Sequence, residues 1–142
     1  MKKSRLKINA DTADLYMVRE AVTDFIGSDI DSNERGRIIL AIDEALANII
    51  IHGYKKDNSG KIIIDMESDG TSLKFTISDK APWFNPLDLP SPDMDTYFDT
   101  GKHGGLGVDI YKKIMDVSYE RKKTGGNRLI MVRPAQKKDI RV

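Results

Sequence analysis

Residues Ala41 to Tyr54 read AIDEALANIIIHGY. Three polar side chains, Glu44, Asn48 and His52, recur at every fourth position of an otherwise apolar stretch. Four residues advance an α-helix by about 400°, so the three drift by only about 40° per step and share one side. Their neighbours Ala41, Ala45 and Ala47 are small, and there is no Lys or Arg between Ile38 and Tyr54. A solvated helix face usually pairs its acids with long cationic side chains. This face is short, rich in oxygen and open to close approach. On the segment alone two readings stand. Glu44, Asn48 and His52, with Asp43, form the wet side of an amphipathic helix, or they form a site.

Working outward, Asp31, Ser32 and Asn33 offer an N-cap, and the helix is expected to begin near Glu34 and run to about His52, with Gly53 as its stop. Upstream, Arg5 to Asn9 alternate as R-L-K-I-N, an edge-strand pattern. Asp11 or Thr12 then caps a helix through Leu15, Val18, Val22 and Ile26 that stops at Gly27. Downstream, Lys61 to Glu67 and Ser72 to Ser78 read as strands joined at Asp69-Gly70, a strong hairpin signal. From Lys80 to His103 periodicity fails. Pro82, Pro86, Pro90 and Pro92 are interspersed with Asp88, Asp93, Asp95 and Asp99, the composition of a long functional loop.

GGLGVDIYKKIMD then opens a helix with Leu106, Ile110 and Ile114 as its apolar line and Val108 and Met115 beside it. Val117 to Lys122 and Arg128 to Arg133 form a second hairpin around Thr124-Gly125-Gly126-Asn127. Runs of strands and runs of helices without strict alternation predict an α+β layer, with helices on one face of a mixed, mostly antiparallel sheet.

A chain of 142 residues and 16.0 kDa is the size of one domain, expected to span 1–142. Hydrophobic residues make up 39% and charged residues 32%, and the formal net charge of +1 argues against a nucleic-acid surface. The absence of cysteine removes disulfides and thiol chemistry, and two histidines are too few for a zinc cluster. The basic N-terminus lacks the apolar run of an export signal, and the run from Ala45 to Ile51 is far below the roughly 20 residues that span a bilayer. A cytoplasmic protein with no membrane partner is the expectation.

Two further segments carry chemistry. ISDKAPWFNP ends a strand at Asp79; it reads either as a Pro-stiffened turn or as a carboxylate able to accept a hydrogen bond from an exocyclic amine such as that of adenine. HGGLGVDI places glycines between the long loop and a helix start, where free N–H groups and the helix dipole favour phosphate. It fits neither the dinucleotide fingerprint nor the P-loop, and Lys102 and His103 flank it as candidate phosphate contacts. In the helix, an Asn amide oxygen suits Mg²⁺, which takes few protein oxygens beside substrate phosphates.

In this order the segments resemble the GHKL ATPase/kinase superfamily, and more closely the anti-sigma factor serine kinases. The motif E-A-x-x-N-x-x-x-H-x-Y is present as Glu44, Ala45, Asn48, His52 and Tyr54. GGLGVDIYKKIMD, VSYERKKTGGNRL and DKAPWFNP are similar to members of that group, so the resemblance covers nearly the whole chain. It implies a two-layer α/β sandwich of the GHKL (Bergerat) type and an ATP lid over about 80–103.

The resemblance also implies roles. Asn48 would ligate Mg²⁺ on the ATP phosphates, Glu44 would act as base or hydroxyl-orienting group, and Asp79 would bind adenine with Ala81 beside it. Gly104, Gly105, Leu106 and Gly107 would cradle phosphate, and His52, Lys102 and His103 would lie at the nucleotide. Ala81 stands where the superfamily often has glycine, which fits only if its φ is negative. The implied activity is ATP-dependent phosphorylation of a serine on an anti-sigma factor antagonist of the STAS type, with binding of a sigma factor, commonly by a homodimer. A non-catalytic switch that sequesters a regulatory partner is the alternative.

Overall fold

The computed structural model describes residues 1–28, 30–88 and 106–134, with backbone only for 106–109. Five strands form one sheet in the order β1-β2-β3-β5-β4: Lys2–Asn9, Lys61–Ser68, Leu73–Asp79, Asp116–Arg121 (β4) and Asn127–Arg133 (β5). All four pairings are antiparallel. Among the described residues three α-helices accompany them: α1 Leu15–Ile26, α2 Ser32–Asn48 and α3 Leu106–Ile114. The α+β layer expected from the sequence is therefore present, with β1 as an edge strand that starts three residues earlier than its alternation suggested.

Alternation fixes which face of the sheet is covered. Ile62, Ile64 and Met66 of β2 stand in register with Asp79, Ile77 and Phe75 of β3, and these with Asn127, Leu129 and Met131 of β5. All are buried. The opposite face carries Arg5–Asp65, Lys74–Glu67 and Arg128–Glu120 ion pairs, as expected for an antiparallel sheet with one wet side.

The helices supply the other half of the core. Asp11 caps a 3₁₀ turn, Thr12–Asp14, by accepting from the Ala13 N–H at 3.0 Å, and α1 follows, burying Leu15, Val18, Val22, Phe25 and Ile26. Gly27, with φ of 70°, ends it. Asp31 caps α2, and Arg35 of α2 donates to the Gly27 carbonyl at 2.8 Å, tying the two helices together. Ile38, Ala41, Ile42, Ala45 and Leu46 then pack on the sheet and α1.

The α-helical geometry expected as far as His52 stops at Asn48. Ile49–Gly53 is a π-helical turn, with the Tyr54 N–H donating to the Ile49 carbonyl. The left-handed residues that end it are Lys55 and Lys56, not Gly53. Among the side chains described at this helix, Tyr111 and, just past its end, Met115 are buried, while Ile110 and Ile114 of the expected line are half-buried; Leu106 and Val108 lie outside the described side chains.

The orientation of α2 sets the site. Its first turn meets β5 at Arg133, where Glu34 Oε1 lies 3.5 Å from Arg133 Nε. The π turn that continues it meets the turn after β3, where a Cβ built on Gly53 would lie 3.5 Å from the Ala81 Cβ. The helix therefore crosses the sheet from the Leu73–Arg133 row to the Asp79–Asn127 row.

Candidate functional site

Asp79 is the last residue of β3 and faces the covered side, only 3% exposed. Its Oδ1 accepts from the Ala81 N–H at 2.9 Å and from Asn127 Nδ2 at 2.8 Å. Burial pushes the carboxyl above its ordinary value, while these two donors and the Lys122 ammonium pull the other way. Lys122 also donates to the Asp79 carbonyl at 3.3 Å.

Asn127 organises this end of the sheet. Its Nδ2 donates to Asp79 and, at 3.1 Å, to the Pro82 carbonyl; its Oδ1 accepts from the Phe84 N–H at 2.9 Å and from the Tyr119 hydroxyl. One amide thus joins β3, β4 and the turn after β3, and these partners admit only one orientation of it. Sequence reasoning had placed Asn127 in the hairpin turn; it is the first residue of β5, buried. The signal was available in the alternation of Asn127, Leu129, Met131 and Arg133, which puts Asn127 on the apolar phase of the strand.

Gly126 completes the arrangement. Its φ is 96°, and a Cβ there would lie 2.1 Å from the Asp79 carbonyl oxygen. Only glycine allows β5 to start this close to the end of β3. Tyr54 clasps the same region from outside, donating to the Lys61 carbonyl at 2.6 Å and accepting from the Lys80 N–H at 2.8 Å. Ala81 is buried and its φ is not positive, so the turn does not need glycine there.

The polar line of α2 has unequal members. Asn48 is 4% exposed and its Nδ2 has no hydrogen-bond partner among the described residues. Glu44, one turn earlier, is half-buried. His52 is exposed and lies against Phe84, ring centroids 6.0 Å apart, because the π turn carries it away from the Asn48 line and toward the loop after β3. Asp43 is an ordinary surface acid: Arg19 of α1 supplies the cation that the stretch after Arg37 lacks, at 3.0 Å.

Leu106 and Gly107 open α3. Lys102, His103, Gly104 and Gly105, and the greater part of the proposed lid, lie outside the described residues; of the lid, 80–88 is described and contains a 3₁₀ turn, Pro86–Asp88.

The sequence matches the histidine kinase-like ATPase domain over residues 8–133. The chain belongs to this family. This histidine kinase-like ATPase domain is 28% identical over 131 residues to the anti-sigma F factor of Clostridium perfringens, covering 91% of the chain and 94% of that protein. It is 34% identical over 104 residues to the serine-protein kinase RsbW of Staphylococcus aureus, covering 70% of the chain and 64% of that protein. Among solved structures, the mycobacterial sensor histidine kinase MprB shares the fold with a TM-score of 0.52, covering 94% of this chain and 99% of that one at 16% identity. The GHKL-type fold expected from the sequence is thereby established. No helix among the described residues is long and apolar enough to cross a membrane.

Proposed function

We propose that this protein is an ATP- and Mg²⁺-dependent protein-serine kinase that phosphorylates a STAS-type anti-sigma factor antagonist and binds a sigma factor. The observation that carries the reading is the pairing of two buried polar groups, Asp79 and Asn48, at one end of a histidine kinase-like ATPase domain whose relatives are named anti-sigma F factor and serine-protein kinase. The Asp79 carboxyl is buried with Oδ1 held by two donors, and Asn48 Nδ2 has no hydrogen-bond partner among the described residues; a buried polar atom left so is unfavourable unless an interaction uses it.

The donor set fits the nucleotide and its metal. Asp79, with Oδ1 already engaged, has a second oxygen for the adenine amine, and this acceptor favours adenine over a base that presents a carbonyl there. Asn48 offers a neutral amide oxygen of the kind Mg²⁺ takes beside phosphate oxygens. Mg²⁺, when bound, supplies neutralisation of charge on the transferring phosphoryl group. Glu44, on the same side of α2, accepts the proton of the attacking serine hydroxyl. Gly104, Gly105, Leu106 and Gly107 cradle phosphate, Lys102 and His103 flank it, and 80–103 forms the lid, which His52 meets through Phe84. The protein acts in the cytoplasm as a homodimer and as a single domain over 1–142.

Purified protein incubated with labelled ATP, Mg²⁺ and the antagonist is expected to transfer phosphate to a serine of the antagonist. Asn48→Ala is expected to abolish transfer with an unchanged far-UV circular dichroism spectrum. Full transfer by that variant would sink the metal-ligand role. ATP binding by calorimetry without any transfer would leave the partner-sequestering switch as the function.

A further inference from the structure

Tyr54 closes the motif that begins at Glu44, and neither the metal ligand nor the adenine contact proposed above uses it. It follows the π turn directly. Its N–H donates to the Ile49 carbonyl at 2.9 Å and the Lys56 N–H to the Ile50 carbonyl at 2.9 Å, while Lys55 and Lys56, with φ of 53° and 66°, turn the chain away. The ring lies against Gly60, where a Cβ would stand 2.4 Å from it. The phenol is therefore held in place relative to the end of α2.

Its hydroxyl reaches the end of β3. Tyr54 Oη donates to the Lys61 carbonyl at 2.6 Å and accepts from the Lys80 N–H at 2.8 Å. These partners fix both roles of the hydroxyl, because a carbonyl can only accept and a backbone N–H can only donate. β2 and β3 pair Ile62 with Asp79, and the same register carried one residue further sets Lys61 opposite Lys80. There the phenol stands between the strands, and a bridge of two hydrogen bonds takes the place of a direct rung. Two bonds in series span more than one, so β3 parts from β2 immediately after Asp79. A tie between the strands alone would need no side chain, since the backbone can close such a rung by itself.

The peptide between Asp79 and Lys80 is thereby held by both of its polar atoms. Its carbonyl accepts from Lys122 Nζ at 3.3 Å, and its N–H donates to Tyr54 Oη. The orientation of this peptide brings the following N–H, that of Ala81, back to Asp79 Oδ1 at 2.9 Å, where Asn127 Nδ2 also donates at 2.8 Å. Together these contacts set the direction of the carboxylate.

We propose that Tyr54 is a positioning residue for the adenine contact: its hydroxyl, wedged between Lys61 and Lys80, sets the point at which β3 leaves the sheet and so the direction in which the Asp79 carboxylate meets the 6-amino group. The inference rests on the nucleotide reading of Asp79.

The test is Tyr54→Phe, which removes the hydroxyl and keeps the ring on Gly60. Calorimetry with saturating Mg²⁺ compares ATP with purine riboside triphosphate, which carries hydrogen in place of the 6-amino group. The variant is expected to bind ATP about tenfold more weakly, the scale of a hydrogen bond to a charged group, and to bind purine riboside triphosphate as the wild type does. Equal losses on both nucleotides overturn the inference, because the hydroxyl would then support the pocket as a whole. Undiminished ATP affinity overturns it and leaves the kinase reading standing. A wild type that binds both nucleotides equally overturns it together with the adenine role of Asp79, and a wild type that binds neither overturns the nucleotide reading as well.

A second measurement needs no variant. By linkage, an amine whose binding gains from the Tyr54–Lys80 contact strengthens that contact by the same factor. In the wild type, amide hydrogen exchange at Lys80, followed by nuclear magnetic resonance, is expected to slow about tenfold more with saturating ATP than with saturating purine riboside triphosphate. Equal slowing by the two overturns the inference, and this measurement decides it should Tyr54→Phe not fold.

Discussion

At the scale of single residues, Asp79 combines two opposed demands. On the proposed reading it accepts from an adenine amine, which the ionised form does more strongly, yet burial holds its pKa above the ordinary 3.8. A carboxyl whose native pKa is raised binds its proton more tightly in the folded state. Its contribution to stability is therefore fully present below the unfolded value and is lost as pH rises through the raised native value. Nucleotide affinity runs the other way, falling as pH drops through the same window. Asp79→Asn keeps an oxygen for the Ala81 and Asn127 donors and removes the titration. The variant is expected to lose at least about tenfold in ATP affinity, the worth of a hydrogen bond to a charged group. In acid its stability relative to wild type is expected to rise with pH across that window. Urea unfolding between pH 3 and 7 and calorimetry with ATP check the two halves; a variant with a stability profile parallel to wild type would contradict the burial argument.

At the scale of elements, the β4–β5 hairpin shows why two adjacent glycines are not equivalent. Gly125 and Gly126 both have strongly positive φ, but a Cβ on Gly125 meets nothing within 4 Å while one on Gly126 meets the Asp79 backbone. Gly125→Ala is expected to cost about 1 kcal/mol, the left-handed penalty alone. Gly126→Ala adds displacement of the β3 end and is expected to cost about 3 kcal/mol and to weaken ATP binding, since β3 carries Asp79. Equal destabilisation of the two variants in urea melts would show that backbone strain alone decides.

The same hairpin marks the limit of what the sequence made legible. Its strands and turn were visible from alternation and glycine, because these are local effects. The site role of Asn127 was not, because it depends on the register between β5 and β3, which brings Asn127 opposite Asp79 across 48 residues of chain. The helix of Glu34 to His52 was legible through caps and periodicity. Its π turn was not, since no residue between Ile49 and Gly53 is a helix breaker of the kind that marks one from sequence. Asn48 was found because an uncharged polar residue interrupts an apolar run.

At the scale of the whole molecule, the two ends of the sheet carry the two kinds of buried polar chemistry. The Asp79–Asn127 row holds the candidate site, and the Leu73–Arg133 row holds an ion pair between Arg133, 2% exposed, and Glu34 at the start of α2. Six residues of β3 separate the rows, roughly 20 Å. A buried pair seldom adds net stability, but removing one partner takes away part of what offsets the desolvation of the other. Arg37, 3.9 Å from Glu34, also faces that carboxylate. Arg133→Met is therefore expected to destabilise the fold by about 3 kcal/mol, and Glu34→Leu with Arg133→Met to recover most of that loss, because two apolar side chains of similar volume replace the pair. Neither change touches the π turn that meets Ala81, so the folded fraction of both variants is expected to bind ATP with wild-type affinity. Urea unfolding followed by calorimetry under native conditions separates the two quantities. A loss of affinity in the double variant, with its stability restored, would mean that the Glu34–Arg133 pair sets the position of Asn48 along the length of α2 and that the two ends of the molecule are coupled.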